Sequence, residues 1–162
     1  MTEKAYLFLK NYLNNFSPTG YEMSGQKLWA NYINPYVDEI MTDTYGTAVG
    51  IINPKAHYKV VVEAHADEIS WVVSFISKDG FIYLKKNGGV DEQISISRKV
   101  SILTENGIVR GVMGWPATHI RPKDKKPDVT NVYVDCGAST KKEVLDAGIQ
   151  IGDPVMFDEG FS

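Results

Sequence analysis

Residues 62–70 read VEAHADEIS, and this stretch decides how the first part of the chain is interpreted. It continues the apolar run YKVVV at 58–62, which is typical of a buried strand that enters a protein core. Four ionisable side chains then fall close together: Glu63, His65, Asp67 and Glu68. Such a cluster is either the solvated end of a strand or the beginning of a functional site.

The spacing of His65 and Asp67 is the first argument for a site. On a strand, side chains at positions i and i+2 point to the same face, so the imidazole and the carboxylate would be neighbours. A metal-bound histidine usually donates its second ring nitrogen to a carboxylate or a carbonyl group. A histidine and an aspartate two residues apart are nevertheless common, and the spacing alone favours a structural pair over a catalytic one.

Composition limits the class of protein. The chain has 162 residues, 43% of them hydrophobic, and a net charge of −3, which suits one large domain or two small ones and argues against nucleic-acid binding. It has a single cysteine, Cys136, and no apolar run near the ~20 residues of a membrane span. Without a signal-peptide profile at the start, these features predict a cytoplasmic protein that does not enter a membrane.

Two helices are predicted at the beginning of the chain, and short strands after them. The first helix would bury the face formed by Tyr6, Leu9, Leu13 and Phe16, and the second would end at Pro35. Alternating or apolar runs bounded by turn residues predict strands at 47–52, 58–64, 69–76, 80–85, 100–103, 109–113 and 132–135. A later short helix at 141–147 is indicated by Thr140 and Glu143, which form a capping box, and it precedes a last strand at 155–157.

The order of these elements predicts two domains. An α/β beginning at 1–67 is followed by a β-rich body at 68–162 with almost no helix, and no flexible linker separates them. This arrangement favours a domain inserted into another one. The charge run at 121–126 is interpreted as a solvated loop.

Sequence motifs in a fixed order carry a family resemblance. They are SPTGYE at 17–22, DTYGT at 43–47, VEAHADEISWVV at 62–73, GGVDEQ at 88–93, KVSILTENGIVRGVMG at 99–114, the proline-flanked His119, VYVDCGAST at 132–140 and GIQIGDPV at 148–155. With this series the chain resembles the glutamyl aminopeptidase family of dinuclear-metal aminopeptidases, which includes the tetrahedral aminopeptidases and the cellulase-M-like proteins. Thr47 is a departure, since many members of the family have asparagine there.

The resemblance implies a fold class and an assembly. Residues 1–67 would begin a three-layer α/β aminopeptidase domain, and 68–162 would be the β-rich, barrel-like dimerisation domain that interrupts it. The dimers of such proteins often assemble further into a dodecamer. The chain would then be the N-terminal portion of the enzyme, with the remainder of the catalytic domain absent.

The resemblance also implies roles at the site. His65 would bind one of two divalent metal ions, zinc or cobalt, and Asp67 would be the catalytic acid that orients this histidine. The role of Glu68 stays open. The other metal ligands and the general base belong to the part of the family's catalytic domain that this chain lacks, so it is expected not to bind both ions.

Two functions remain. The first is the N-terminal portion of an aminopeptidase that acts on peptides and is inactive as this fragment. The second is a non-catalytic β-rich oligomerisation module. In both, a homo-oligomer is expected.

Overall fold

A computed structural model describes the protein at residues 1–121, 124 and 126–161. The chain divides into two compact units. One comprises Met1–Glu68 together with Gly160 and Phe161, and the other comprises Ile69–Glu159. The predicted charged loop at 121–126 lies in part outside the described residues, because Pro122, Lys123 and Lys125 are not among them.

The first unit contains two helices and a two-stranded sheet. Helix α1 (Glu3–Leu13) begins after Thr2, whose side chain accepts a hydrogen bond from the Ala5 N–H at 3.2 Å. Helix α2 (Met23–Ile33) packs against α1 through stacked Phe8 and Tyr32 rings, whose centroids lie 3.9 Å apart. Strands β1 (Glu39–Thr42) and β2 (Ala48–Ile51) are antiparallel.

The DTYGT motif forms the turn between β1 and β2. The Asp43 carboxylate accepts hydrogen bonds from the N–H groups of Tyr45 and Thr47, both at 2.9 Å. Gly46 has φ +83°, in the left-handed region where a residue without Cβ is favoured. The motif is therefore a hairpin turn here, and Thr47 contributes its backbone to it.

The second unit is a closed, antiparallel barrel of six strands in the order β3-β4-β7-β6-β5-β8. The strands are β3 (Ser70–Ile76), β4 (Ile82–Asn87), β5 (Lys99–Thr104), β6 (Gly107–Gly114), β7 (Tyr133–Asp135) and β8 (Pro154–Phe157). Helix α3 (Lys141–Asp146) precedes β8; the Thr140 side chain caps it, and Gly148 follows it with φ +91°.

The core of the barrel follows the alternation of its strands. In β3, Trp71 and Val73 point inward and are 2% and 1% exposed. An irregularity of register between Val73 and Phe75 shifts the alternation, so Phe75 is 55% exposed and Ile76 is buried. The edge of the Trp71 ring packs against Phe157, with 5.0 Å between the centroids.

These observations confirm the β-rich, barrel-like part of the prediction. Strands were predicted within two residues of where β2 to β8 lie, and the turns at 77–80 and 105–107 join antiparallel neighbours. β1 was not predicted. The domain boundary after Asp67 and the three-layer architecture of the first domain stay predictions.

The predicted strand at 58–64 is wrong. None of these residues belongs to a strand, and Tyr58, Val60, Val61 and Val62 are 83%, 74%, 80% and 94% exposed. An apolar run is buried as a strand only when neighbouring strands pair with it and cover its faces. Among the described residues no strand pairs with this segment.

The predicted core face of α1 is also wrong. Tyr6 and Leu13 are 37% and 49% exposed, and α1 has no buried residue. In the described chain the buried large hydrophobic side chains all belong to the second unit. The amphipathic pattern of α1 therefore meets too little apolar surface within its own unit to become buried.

The two ends of the first unit are joined by Asn14. Its side-chain amide donates to the Phe161 carbonyl at 3.1 Å and accepts from the Phe161 N–H at 2.7 Å. The Tyr6 and Phe161 rings also lie near each other, with 6.2 Å between centroids.

Within the described residues, no helix has the length and apolar character needed to cross a bilayer.

Candidate functional site

The imidazole of His65 is held on one side by Asp67. Nδ1 of His65 lies 2.8 Å from the Asp67 carbonyl oxygen and 3.0 Å from Oδ1 of the same residue. A carbonyl oxygen can only accept, so Nδ1 carries the proton in this arrangement. In the neutral imidazole Nε2 then keeps its lone pair, and the side chain is 85% exposed. The neutral ring thus presents its unprotonated nitrogen on the exposed side.

Asp67 uses both carboxylate oxygens. Oδ1 faces the histidine, and Oδ2 accepts a 2.5 Å hydrogen bond from the Thr19 hydroxyl. The Thr19 hydrogen bond lowers the pKa of Asp67 below its ordinary value; partial burial opposes this shift, and the hydrogen bond with His65 adds to it. Asp67 is therefore an ionised acceptor at neutral pH.

Glu68 is engaged by the backbone of Ser17. Its Oε1 accepts from the Ser17 N–H at 2.8 Å, and its own N–H donates to the Ser17 carbonyl at 2.9 Å. Pro18 and Glu68 form an isolated parallel bridge beside these bonds. The SPTGYE and VEAHADEIS motifs, far apart in sequence, are neighbours in the first unit.

The sequence predicted His65 and Asp67 as site residues, but it did not predict Thr19 as a partner of Asp67 or Ser17 as a partner of Glu68. In the sequence, the SPTG segment is notable only as part of the motif series that carries the family resemblance. A threonine there carries no local signal of a carboxylate partner, because that partner is 48 positions away. Only its place in the motif series could have drawn attention to it.

Two histidines and one cysteine remain besides the His65–Asp67 pair. His57 and His119 are exposed, and Cys136 is a free thiol of intermediate exposure. In the part of the chain that the structure describes, no three His, Cys, Asp or Glu side chains converge in an arrangement that suits a metal ion. A catalytic zinc takes three protein ligands besides its water. The described residues fit one ligand position of a metal site, and they do not form a complete centre.

One surface groove has neither His65 nor Asp67 in its lining. It has a volume of about 740 Å³ and lies on the barrel; its lining includes Arg110, Tyr133, Asp135 and Asp158. Arg110 Nε and Asp158 Oδ2 form an ion pair across 3.0 Å there. A smaller groove is lined by Asp38 and residues 53–56. Neither groove includes His65 or Asp67.

Solved aminopeptidase structures share this fold. One is a TET aminopeptidase from a marine sediment archaeon of the Thaumarchaeota, with a TM-score of 0.94 and 28% identity, covering 99% of this chain and 46% of that one. Another is a TET peptidase from Pyrococcus horikoshii, with a TM-score of 0.81 and 25% identity, covering 97% of this chain and 47% of that one. The fold is that of a portion of a TET-type aminopeptidase.

The sequence identifies the family. The profile of the M42 glutamyl aminopeptidase family matches residues 46–162, and the chain belongs to that family. Lysyl aminopeptidase from Pyrococcus furiosus is 31% identical over 159 residues, which is 95% of this chain and 46% of the relative. The chain thus spans about half the length of this curated relative.

Proposed function

We propose that the chain is the N-terminal portion of a metal-dependent aminopeptidase that removes N-terminal residues from peptides. His65 would bind one of two divalent ions, zinc or cobalt, through Nε2, and Asp67 would be the acid that orients it. The observation that carries this proposal is the placement of two acceptor oxygens around His65 Nδ1, which leaves Nε2 with its lone pair. Family membership supports it, since peptidases of this family are metal-dependent in general.

The same proposal assigns roles to the two units. The first unit would begin the three-layer α/β catalytic domain, and the barrel would be its inserted dimerisation domain. The chain by itself would be inactive, because one imidazole neither holds two ions nor supplies a general base. We assign the active enzyme to the cytoplasm, where the single cysteine is compatible with reducing conditions.

The test is hydrolysis of aminoacyl anilides with zinc or cobalt added. Lysyl and glutamyl substrates are both needed, because the family is named for glutamyl residues and the Pyrococcus furiosus relative for lysyl residues. We expect no hydrolysis by the 162-residue chain. A fusion of this chain to the part of the Pyrococcus furiosus relative that the chain does not match should be active.

His65→Ala in the active fusion gives the sharper result. Loss of a ligand should lower kcat/KM by more than the about 10–100-fold that is typical of losing an outer partner. His57→Ala is the matched control, since His57 is exposed and lies outside the motif. Hydrolysis by the chain alone, or a fully active His65→Ala fusion, contradicts the proposal.

The barrel supports a second candidate function, a non-catalytic oligomerisation module. It contains the buried large hydrophobic side chains of the described chain, so it has a core of its own. The similar TET peptidase from Pyrococcus horikoshii can assemble into a tetrahedron or a large octahedral shell. We propose a homo-oligomer formed through the barrel. Static light scattering at tens of micromolar tests this, and a monomer would contradict it.

A further inference from the structure

The SPTG segment at 17–20 has no role in the proposed function, yet it contacts the site. The Ser17 N–H donates to the Glu68 carboxylate at 2.8 Å, and the Ser17 carbonyl accepts from the Glu68 N–H at 2.9 Å. Thr19 donates to Asp67 at 2.5 Å. These contacts, which we call the clasp, join residues 17–19 to residues 67–68 and leave the imidazole of His65 outside.

The clasp is built on a fixed support. Ser17 is 6% exposed, and its hydroxyl accepts a hydrogen bond from the Asn15 side chain at 3.1 Å. Gly25 of α2 packs directly against it, so that a Cβ at that position would overlap Ser17 Oγ. The loop that contains Ser17 therefore packs against α2. A residue that is hydrogen-bonded to this loop is held in a defined position.

The segment that carries His65 has little other support. Residues 57–67 form no strand, and no backbone–backbone hydrogen bond joins them to other parts of the described chain. The contacts at its end therefore determine where Asp67 lies. Because each Asp67 oxygen has its own partner, the Thr19 bond to Oδ2 fixes the rotation of the carboxylate and turns Oδ1 toward Nδ1 of His65.

We infer that Thr19 is a positioning residue that acts through Asp67 to hold the His65 imidazole in its Nδ1–H tautomer, with Ser17 and Glu68 anchoring the backbone of the same segment. The histidine then presents Nε2 with its lone pair. The inference rests on the proposed function only for the use of that lone pair as a metal ligand. The effect of Thr19 on the ring is independent of any metal.

The test is nitrogen NMR of the histidine rings in the 162-residue chain, at a pH where the imidazoles are neutral. His65→Gln assigns the His65 signals among the three histidines. We expect wild-type His65 to be mainly the Nδ1–H tautomer. Thr19→Val, which keeps the shape and removes the hydroxyl, should raise the Nε2–H fraction several-fold, and Thr19→Ser should restore the wild-type ratio.

Three results would overturn the inference. One is a wild-type His65 that is mainly Nε2–H, which requires no variant to fold. Another is an unchanged ratio in Thr19→Val, with unchanged signals from the barrel core as evidence of folding. A loss of tautomer preference that Thr19→Ser fails to restore also counts against it, because a merely structural disturbance would produce that pattern.

A zinc titration of the same samples separates this inference from the proposed function. We expect zinc to shift the Nε2 signal of His65, and Thr19→Val to weaken that binding by about 10-fold, as for loss of an outer partner. If the tautomer responds to Thr19 but zinc never shifts His65, the positioning role stands and the ligand role fails. If zinc binds His65 equally in both proteins and the tautomer is unchanged, the positioning role fails alone.

Discussion

The side-chain amide of Asn14 forms a pair of hydrogen bonds with the backbone of Phe161, 147 positions later in the chain. Both groups of the amide are used, one as donor and one as acceptor. The pair brings the end of the described chain back to the last turn of α1, so the first unit is built from both ends of the sequence.

Asn14→Ala should release this end of the chain. We expect the Phe161 amide to exchange with solvent faster, by an amount that corresponds to about 0.5–1.5 kcal/mol for one lost hydrogen bond to the backbone. Hydrogen exchange followed by mass spectrometry measures this. Asn11→Ala is the control, since Asn11 is exposed on the same helix. Equal exchange at Phe161 in both variants would contradict the prediction.

The hydrogen bond from Ser101 to Asp158 should stabilise the barrel at neutral pH, and this stabilisation should be lost in acid. The Ser101 hydroxyl donates to Asp158 at 2.8 Å and lowers the pKa of that carboxyl; partial burial opposes this, and Arg110 lowers the pKa further. Because the folded pKa lies below the unfolded one, the native state binds fewer protons between the two values. The stabilisation is full above the unfolded pKa of about 3.9 and is lost as pH falls through the folded pKa.

Ser101→Ala tests this pH dependence. Loss of a hydrogen bond to a charged group should lower the free energy of unfolding by about 1.5–3 kcal/mol at neutral pH, and by less in strong acid. Urea unfolding at several pH values measures the difference. Asp146→Asn is the control, because its pair with Lys142 is exposed and screened by solvent, so that its loss should have little effect on stability. A deficit that is the same at every pH would exclude the mechanism.

Ile102→Ala should destabilise the barrel strongly. Ile102 is 0% exposed at the centre of β5, and truncation leaves a cavity in a closed core. The expected loss is about 2–5 kcal/mol. Ile108→Ala is the matched control on the neighbouring strand, where the side chain is 52% exposed and the loss should stay within about 0.5 kcal/mol. Urea unfolding monitored by tryptophan fluorescence compares the two variants.

Val61→Asp should reduce the non-specific association that adds to the oligomer proposed to form through the barrel. Val61 is 80% exposed in an apolar run, and such surface promotes contacts between molecules. We expect weaker concentration-dependent light scattering and unchanged barrel stability. Ala56→Asp adds the same charge at an exposed position outside the run. If both variants scatter equally, net charge and not the apolar run controls association.

Most of the barrel was predictable because its signals are local. The alternation in β5 and β6 and the Asn106-Gly107 turn between them define a hairpin from neighbouring residues alone. The capping residue Thr140 defines the start of α3 in the same way. The predictions for the strand at 58–64 and for the buried face of α1 are wrong for one reason. An apolar sequence indicates a tendency to be buried, but burial itself depends on which other elements pack against it.

The sequence by itself determined the strands of the barrel, their turns and the family, because these signals lie in neighbouring residues or in a series of motifs. It also predicted that His65 and Asp67 are neighbours, although the structure pairs them outside any strand. Only the tertiary structure decided that β3 pairs with β8 to close the barrel, that Val60–Val62 stays exposed, and that Thr19 and Ser17 hold Asp67 and Glu68. The physical reason is distance along the chain. A contact across 48 positions depends on the whole fold and leaves no periodic pattern in the residues that make it.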